Sequence, residues 1–285
     1  MTTALQSSTT QPRASALPTP RPWLVVATLC VREWVRFVRQ PNRVFGAVGQ
    51  PIMFWVVFAA GLGPSFRPAG GNAEAAELSY GEFFFPGTLA LILLFTAIFT
   101  TISIIEDRRE GFLQSVLVAP VPRWSMVLGK VLGGALLALA QAILFLLLAW
   151  VVGIRLGPVA ALAVVGWMFV LALALTALGS MFAWSTDSTQ GFHAVMSVIL
   201  FPMWLLSGSF FPVDSGWLAW IVRLNPLTYG VAGLRRLLYL GVADPPLPPG
   251  VPGLFTCTLV TFAFFIVTFG LAWRAAGRRT AGDLQ

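Results

Sequence analysis

Six stretches of the chain run for more than twenty positions without a charged residue: 44–66, 83–105, 131–154, 156–186, 188–213 and 245–273. A helix needs about 20 apolar residues to cross the hydrocarbon core of a bilayer, and a charge at its centre is costly. The pattern therefore predicts six transmembrane helices, over about 44–63, 83–105, 126–152, 159–183, 190–210 and 253–273. Pro158 suits the first turn of the fourth, where its missing N–H is no loss, whereas Pro202 falls inside the fifth and predicts a kink.

The segments outside these spans have periodicities of their own. Residues 1–22 are rich in Ser, Thr and Pro and read as a flexible tail with no signal peptide. Over 24–40, Leu24, Ala27, Thr28, Val31, Val35 and Val38 fall on one helical face, and Arg32, Arg36, Arg39 and Arg43 on another. Residues 23–43 are thus expected as an amphipathic helix along the membrane surface, arginines towards lipid phosphates, or packed on the bundle. After the second span, Phe112, Leu113, Val116 and Leu117 form an apolar stripe ended by Pro120 and Pro122. Glu106 and Asp107 stand before it, where a helix N-terminus favours negative charge. A short amphipathic helix at 106–119, tethered to spans two and three, is expected; an ordinary solvated loop is the plainer alternative. Near the other end, 215–223 and 226–240 are too short to span, and the aromatic residues Phe210, Phe211, Trp217, Trp220, Tyr229 and Tyr239 suit an interface. Short helices dipping into one leaflet fit them. Arg235 and Arg236 end in this layer, as structural residues or as partners of lipid phosphates or a substrate.

Composition narrows the class. Of 285 residues, 57% are hydrophobic and 10% charged, and the mean hydropathy is +0.82. A soluble domain carries about 25% charged residues, so lipid is the solvent for much of this surface. The balance is basic, 18 Lys+Arg against 11 Asp+Glu. With six spans, 13 of the 18 fall on the side of the two termini, and only Arg67, Arg155, Arg223, Arg235 and Arg236 on the other. That asymmetry places both termini in the cytosol, and it accounts for the basic excess without nucleic acid.

Several chemistries are excluded. The one Gly-Lys pair, Gly129-Lys130, is followed by Val131, and Trp124 stands where a P-loop needs its first glycine. The spacing Gly129-x-x-x-Gly133 reads instead as a close helix-packing face. The charge-free gaps hold no acid for a proton or sodium ion, and the single histidine, His193, suits capping or packing better than proton transfer. Neither Ser207 nor Ser209 sits in a nucleophile elbow. Cys30 and Cys257 belong to no metal-ligand cluster, so no catalytic or metal site is expected. Hydroxyl groups inside spans, as at Thr96, Thr100, Thr101 and Ser103, commonly bond to their own helix backbone.

Three stretches resemble ABC transporter type-2 permeases. They are Glu106…Glu110-Gly111-x-Leu113…Leu117…Pro120…Arg123…Gly129-Lys130, then Tyr80-Gly81-Glu82-Phe83-Phe84-Phe85-Pro86-Gly87, and Pro202…Leu206-Ser207-Gly208-Ser209-Phe210-Phe211-Pro212 with Asn225-Pro226-Leu227-Thr228-Tyr229 and Arg235. The resemblance runs from about residue 24 to 273 and is strongest to the daunorubicin-resistance type. It implies an all-α membrane protein: six spans (44–273), an interfacial helix, a cytosolic coupling helix, and outer re-entrant helices before the last span, with a C-terminal tail at 274–285. It implies a multi-pass permease of the plasma (inner) membrane that exports a lipophilic or amphipathic substrate. Its partners would be a second permease copy, membrane lipid and a separate P-loop ATPase, which would hold the ATP and Mg that this chain does not bind. Glu106, Arg109, Glu110 and Gly111 would contact the ATPase. Thr96, Thr100, Ser197 and Trp204 would line the path, and Phe210, Phe211, Pro212, Asn225 and Pro226 would form the outer gate. A polysaccharide exporter, a non-transport scaffold and an ion-driven carrier are the competing readings.

Overall fold

The structure, a computed structural model, describes residues 21–65, 78–112, 121–210, 216–248 and 250–282. Among them the chain is helical: α1 Pro22–Val38, α2 Pro41–Leu62, α3 Tyr80–Arg109, α4 Arg123–Leu146, α5 Pro158–Ser185, α6 Thr189–Trp204, α7 Trp217–Leu224, α8 Pro226–Leu238 and α9 Leu254–Gly282. Local sequence sets the boundaries. Ser79 caps α3 by accepting from the Glu82 N–H while the Glu82 carboxylate accepts from the Ser79 N–H, a reciprocal capping box. Proline occupies the first turn of α1, α2, α5 and α8, where its fixed φ suits a helix start.

Among the described residues, five helical segments are long and apolar enough to cross a membrane: Tyr80–Arg109, Arg123–Trp150, Pro158–Ser185, Thr189–Ser209 and Leu254–Arg278. The first expected span, about 44–63, corresponds to α2, whose apolar part is the shorter stretch Val48–Leu62. Pro202 ends regular α-helix close to its own position. The following π-type turn, Leu205–Ser209, leaves helical geometry at Leu206 and at Gly208, where φ is +73°. The last helix continues past the expected end of its span at 273 to Gly282, so the segment after the span begins as an extension of that helix.

The centre of the bundle is α3, with 89% of its apolar window buried against 28% for Thr189–Ser209 and 17% for α9. It packs on α2, α4, α5 and α6; α1 lies on α4, and α9 on α5 and α8. Phe83, Phe84, Phe85, Phe145, Trp184, Phe192 and Trp204 fill the interior. Large apolar side chains remain outside, among them Phe255 and Ile266 on α9 and Val198 on α6. In water such a surface would drive association; against acyl chains or another helix it is compatible with the medium.

Candidate functional site

The end of the bundle that carries α1 is built around a close helix approach. Val26, Leu29, Glu33 and Phe37 recur along one face of α1 and are buried. They lie against Gly129 and Gly133 of α4. A Cβ at Gly129 would stand 2.9 Å from the Leu29 Cβ, and one at Gly133 would stand 3.2 Å from the Cys30 Cα. Glycine at these two positions lets the helices meet backbone to backbone, as the Gly-x-x-x-Gly spacing predicts.

That contact brings Lys130, 4% exposed, between two carboxylates. Its Nζ donates to Glu33 Oε1 at 2.5 Å, to Ser103 Oγ at 3.1 Å and to Asp107 Oδ2. Asp107, fully buried in the last turn of α3, also accepts both Nη atoms of Arg32, at 2.8 and 2.7 Å, and Nη1 of Arg36 at 2.7 Å. Arg36 reaches on to Glu106 at 2.8 Å and Glu110 at 3.6 Å. Arg32 and Arg36 with Lys130 offset Glu33, Glu106 and Asp107 charge for charge. A buried ion network is tolerable only when its charges and hydrogen bonds are so matched. The bond to Asp107 raises the Arg32 pKa above its ordinary value. The result is a cross-linked hub joining α1, α3 and α4, with the exposed Glu110 at its rim.

The hub corrects two expectations. Glu106 and Asp107 do not open a helix; they lie in the last turns of α3, the end where the helix dipole disfavours acids. The three cations from α1 and α4 compensate. Arg32 and Arg36 turn inward to those acids instead of towards lipid phosphates. The opposite face of α1, with Leu24, Val31, Val35 and Val38, is the exposed one. An open groove of about 670 Å³ runs beside it, lined by Val31, Val35, Arg36, Arg39, Gln40 and Glu110.

Among the expected contact residues, Arg109 donates to the Asp187 carbonyl at 3.2 Å, and its neighbour Arg108 donates to the Thr186 and Trp184 carbonyls at the end of α5. The Glu110 side chain is 62% exposed. Gly111 follows with φ +75°, the left-handed geometry that ends a helix and favours glycine. Phe112 lies under the Arg32 guanidinium, 3.7 Å away. The remainder of the expected helix, 113–119, lies outside the described residues.

The expected path residues divide. Thr96 donates to Gln141 Oε1 at 2.5 Å, Thr100 bonds to its own helix at Thr96 O, and Trp204 Nε1 donates to Gly87 O at 2.9 Å. All three are at most 6% exposed in the protomer, Thr96 and Thr100 on the central helix α3 and Trp204 at the end of α6 where it packs on α3. Ser197 is exposed, next to Val198 and near Phe201 on the outer face of α6. His193 is also exposed, and the cap of α6 is Ser188, not His193.

At the opposite end, aromatic rings close over the top of α3. Phe210 has its ring centroid 4.8 Å from Phe58, 5.5 Å from Phe84 and 6.3 Å from Trp204. Tyr80 donates to its carbonyl at 3.1 Å. Ser209 sits so close to α3 that a Cβ at Gly87 would overlap it at 2.5 Å. Asn225 caps α8 through the Leu227 N–H and donates to Met203 O, and Pro226 takes the first helical position. Gly230 and Gly233 seat α8 on α5, where Trp167 Nε1 donates to Gly230 O. Phe211 and Pro212 lie outside the described residues.

Sequence reasoning passed over Glu33, Asp107 and Lys130 as partners. Glu33 is the single acid within 21–43, set between arginines, and Lys130 interrupts the apolar run of the expected third span between two packing glycines. Those two anomalies together were the available signal. Among the described residues no group of three His, Cys, Asp or Glu is placed to hold a metal ion.

A family model described as "ABC-2 type transporter" matches residues 25–239. The chain is 27% identical to the transport permease ycf38 of Cyanophora paradoxa, over 85% of this chain and 80% of that one. It is 25% identical to the inner membrane transport permease YadH of Escherichia coli, over 90% and 98%. It is 26% identical to the doxorubicin resistance ABC transporter permease protein DrrC of Mycobacterium tuberculosis, over 86% of each.

Proposed function

Since the chain belongs to the ABC-2 type transporter family, we propose that it is the membrane subunit of an ATP-driven exporter, powered by a separate ATPase. In this reading α2 is the first of six spans, the α1 end faces the cytosol, and the Phe210 end is the outer gate. The observation that carries the reading is the hub. Lys130, Arg32 and Arg36 clamp the last turn of α3 to α1 and α4, so a push on Glu106, Arg109 or Glu110 is passed to three helices at once. The same α3 ends beneath the aromatic gate, where Gly87 and Trp204 lock it to the α6 break. One stiff helix thus links the two ends, about 45 Å apart at 1.5 Å per residue over its 30 residues.

The energy source must come from another chain, since Gly129-Lys130 is a helix-packing and ion-pair site here. Two copies of the permease enclose the path, with the exposed α6 face of Ser197, Val198 and Phe201 turned to the partner copy. The uncharged apolar flanks of that face suit a lipophilic or amphipathic cargo, and the relative named for doxorubicin resistance points to the same class. The test is transport of doxorubicin into inverted membrane vesicles holding the chain and its ATPase. ATP-dependent uptake that Glu110→Lys abolishes, with unchanged protein in the membrane, is expected. Equal uptake by the variant would remove Glu110 from the mechanism, and no ATP-dependent uptake of this or any amphipathic dye would count against export.

A further inference from the structure

The gate end holds a charge that opening and closing alone do not explain. Arg235, in α8, is 6% exposed, and no described carboxylate forms an ion pair with it. Its Nη2 donates to the Phe83 carbonyl at 3.1 Å and to the Gly208 carbonyl at 3.4 Å. Its guanidinium lies 4.4 Å over the Phe83 ring. Those contacts pin α8 to α3 and to the α6 break, but they use one nitrogen. The Nε is buried without a partner, and so is the hydroxyl of Tyr239, four residues on at the C-cap of α8. The neighbouring Arg236 is different, being spent on the Pro252 and Val251 carbonyls.

A guanidinium presents its N–H groups as a fork that matches a carboxylate or phosphate. Two neutral carbonyls do not supply the counter-charge that a buried cation requires. The two unused polar groups, a fork N–H and a phenol, lie within electrostatic reach of each other, and the Glu82 carboxylate also acts on the phenol. The turn Leu205–Ser209 lies against Arg235. Its Gly208 carbonyl makes the longer of the two Arg235 contacts, and a would-be Cβ on Gly208 has nothing within 4 Å.

We propose that Arg235 and Tyr239 form an anion seat at the gate, which takes the phosphate or carboxylate of an amphipathic cargo as the Leu205–Ser209 turn moves aside. The proposal rests on the transport reading and narrows its cargo to acidic amphipaths. It is tested on the purified chain in neutral detergent by calorimetric titration with dodecyl phosphate, dodecanol and inorganic phosphate. Dodecyl phosphate is expected to bind at least about tenfold tighter than dodecanol, the scale of one charge-assisted hydrogen bond, and inorganic phosphate far more weakly. Tyr239→Phe keeps every Arg235 contact, melts as the wild type does, and loses several-fold of the preference; Arg235→Gln loses all of it. A wild type without the preference, or a Tyr239→Phe protein that retains it in full, overturns the proposal. Inorganic phosphate binding as tightly as dodecyl phosphate overturns the amphipathic cargo. Binding does not require the ATPase, so a missing ATPase would sink the exporter and leave the seat standing.

Discussion

Lys130 is the residue whose chemistry is most exposed to test. It is the cation between Glu33 and Asp107, and its removal leaves two buried carboxylates facing each other. Breaking a buried pair from one side costs about 3–5 kcal/mol, so Lys130→Met is expected to lower the melting temperature sharply. Adding Glu33→Gln to it should recover part of the loss; an unchanged melting temperature in the single variant would show that the pair is not formed. Thr96 tests the other end of the scale. Its hydroxyl is given to Gln141, whose Nε2 is already without a partner. Thr96→Val should therefore cost about 1–3 kcal/mol in stability and leave cargo selectivity as it was. A changed selectivity at unchanged stability would support Thr96 as a path residue.

Among elements, α1 and α3 show how far the sequence could be read. The long charge-free runs mark the membrane helices because lipid penalises charge wherever it falls, and that signal is local. The Gly129–Gly133 spacing marks the α4 face for the same reason, since a missing Cβ is visible in the residue itself. The destination of Arg32 and Arg36 is not local. On a helical wheel they oppose the apolar face and read as headgroup ligands; only the crossing of α1 over α4 turns them towards Asp107. Likewise Thr96 and Thr100 are hydroxyls in a span by sequence, and become interior groups because α3 is surrounded. Gly133→Leu tests the crossing: a side chain there meets the Cys30 backbone at about van der Waals overlap, 3.2 Å from the first added carbon alone. The amides of α1 are expected to exchange with deuterium much faster, with those of α4 and α5 unchanged. Unaltered α1 exchange would mean that the glycines do not set the contact.

For the whole molecule, the uneven burial of the helices is informative. The outer face of α6 exposes Val198 at 74% and Phe201 at 43%, beside Ser197, whereas α3 is enclosed. A second permease copy is the cover proposed for that face. With Cys30 and Cys257 replaced by serine or alanine, Ser197→Cys is expected to yield covalent dimers when membranes are oxidised. The same substitution at the enclosed Thr96 should not. Absence of Ser197-linked dimers would place the contact on another helix.

Whether the charged end engages an ATPase is tested most directly by purifying the chain from its native membranes and assaying what comes with it. A P-loop ATPase is expected to co-purify and hydrolyse ATP, and Glu110→Lys, exposed beside the hub, should weaken its retention and activity while the permease still folds. A folded permease that brings no ATPase, or retains one equally well with Glu110→Lys, would contradict the assignment of the hub as the site where ATP hydrolysis enters the membrane.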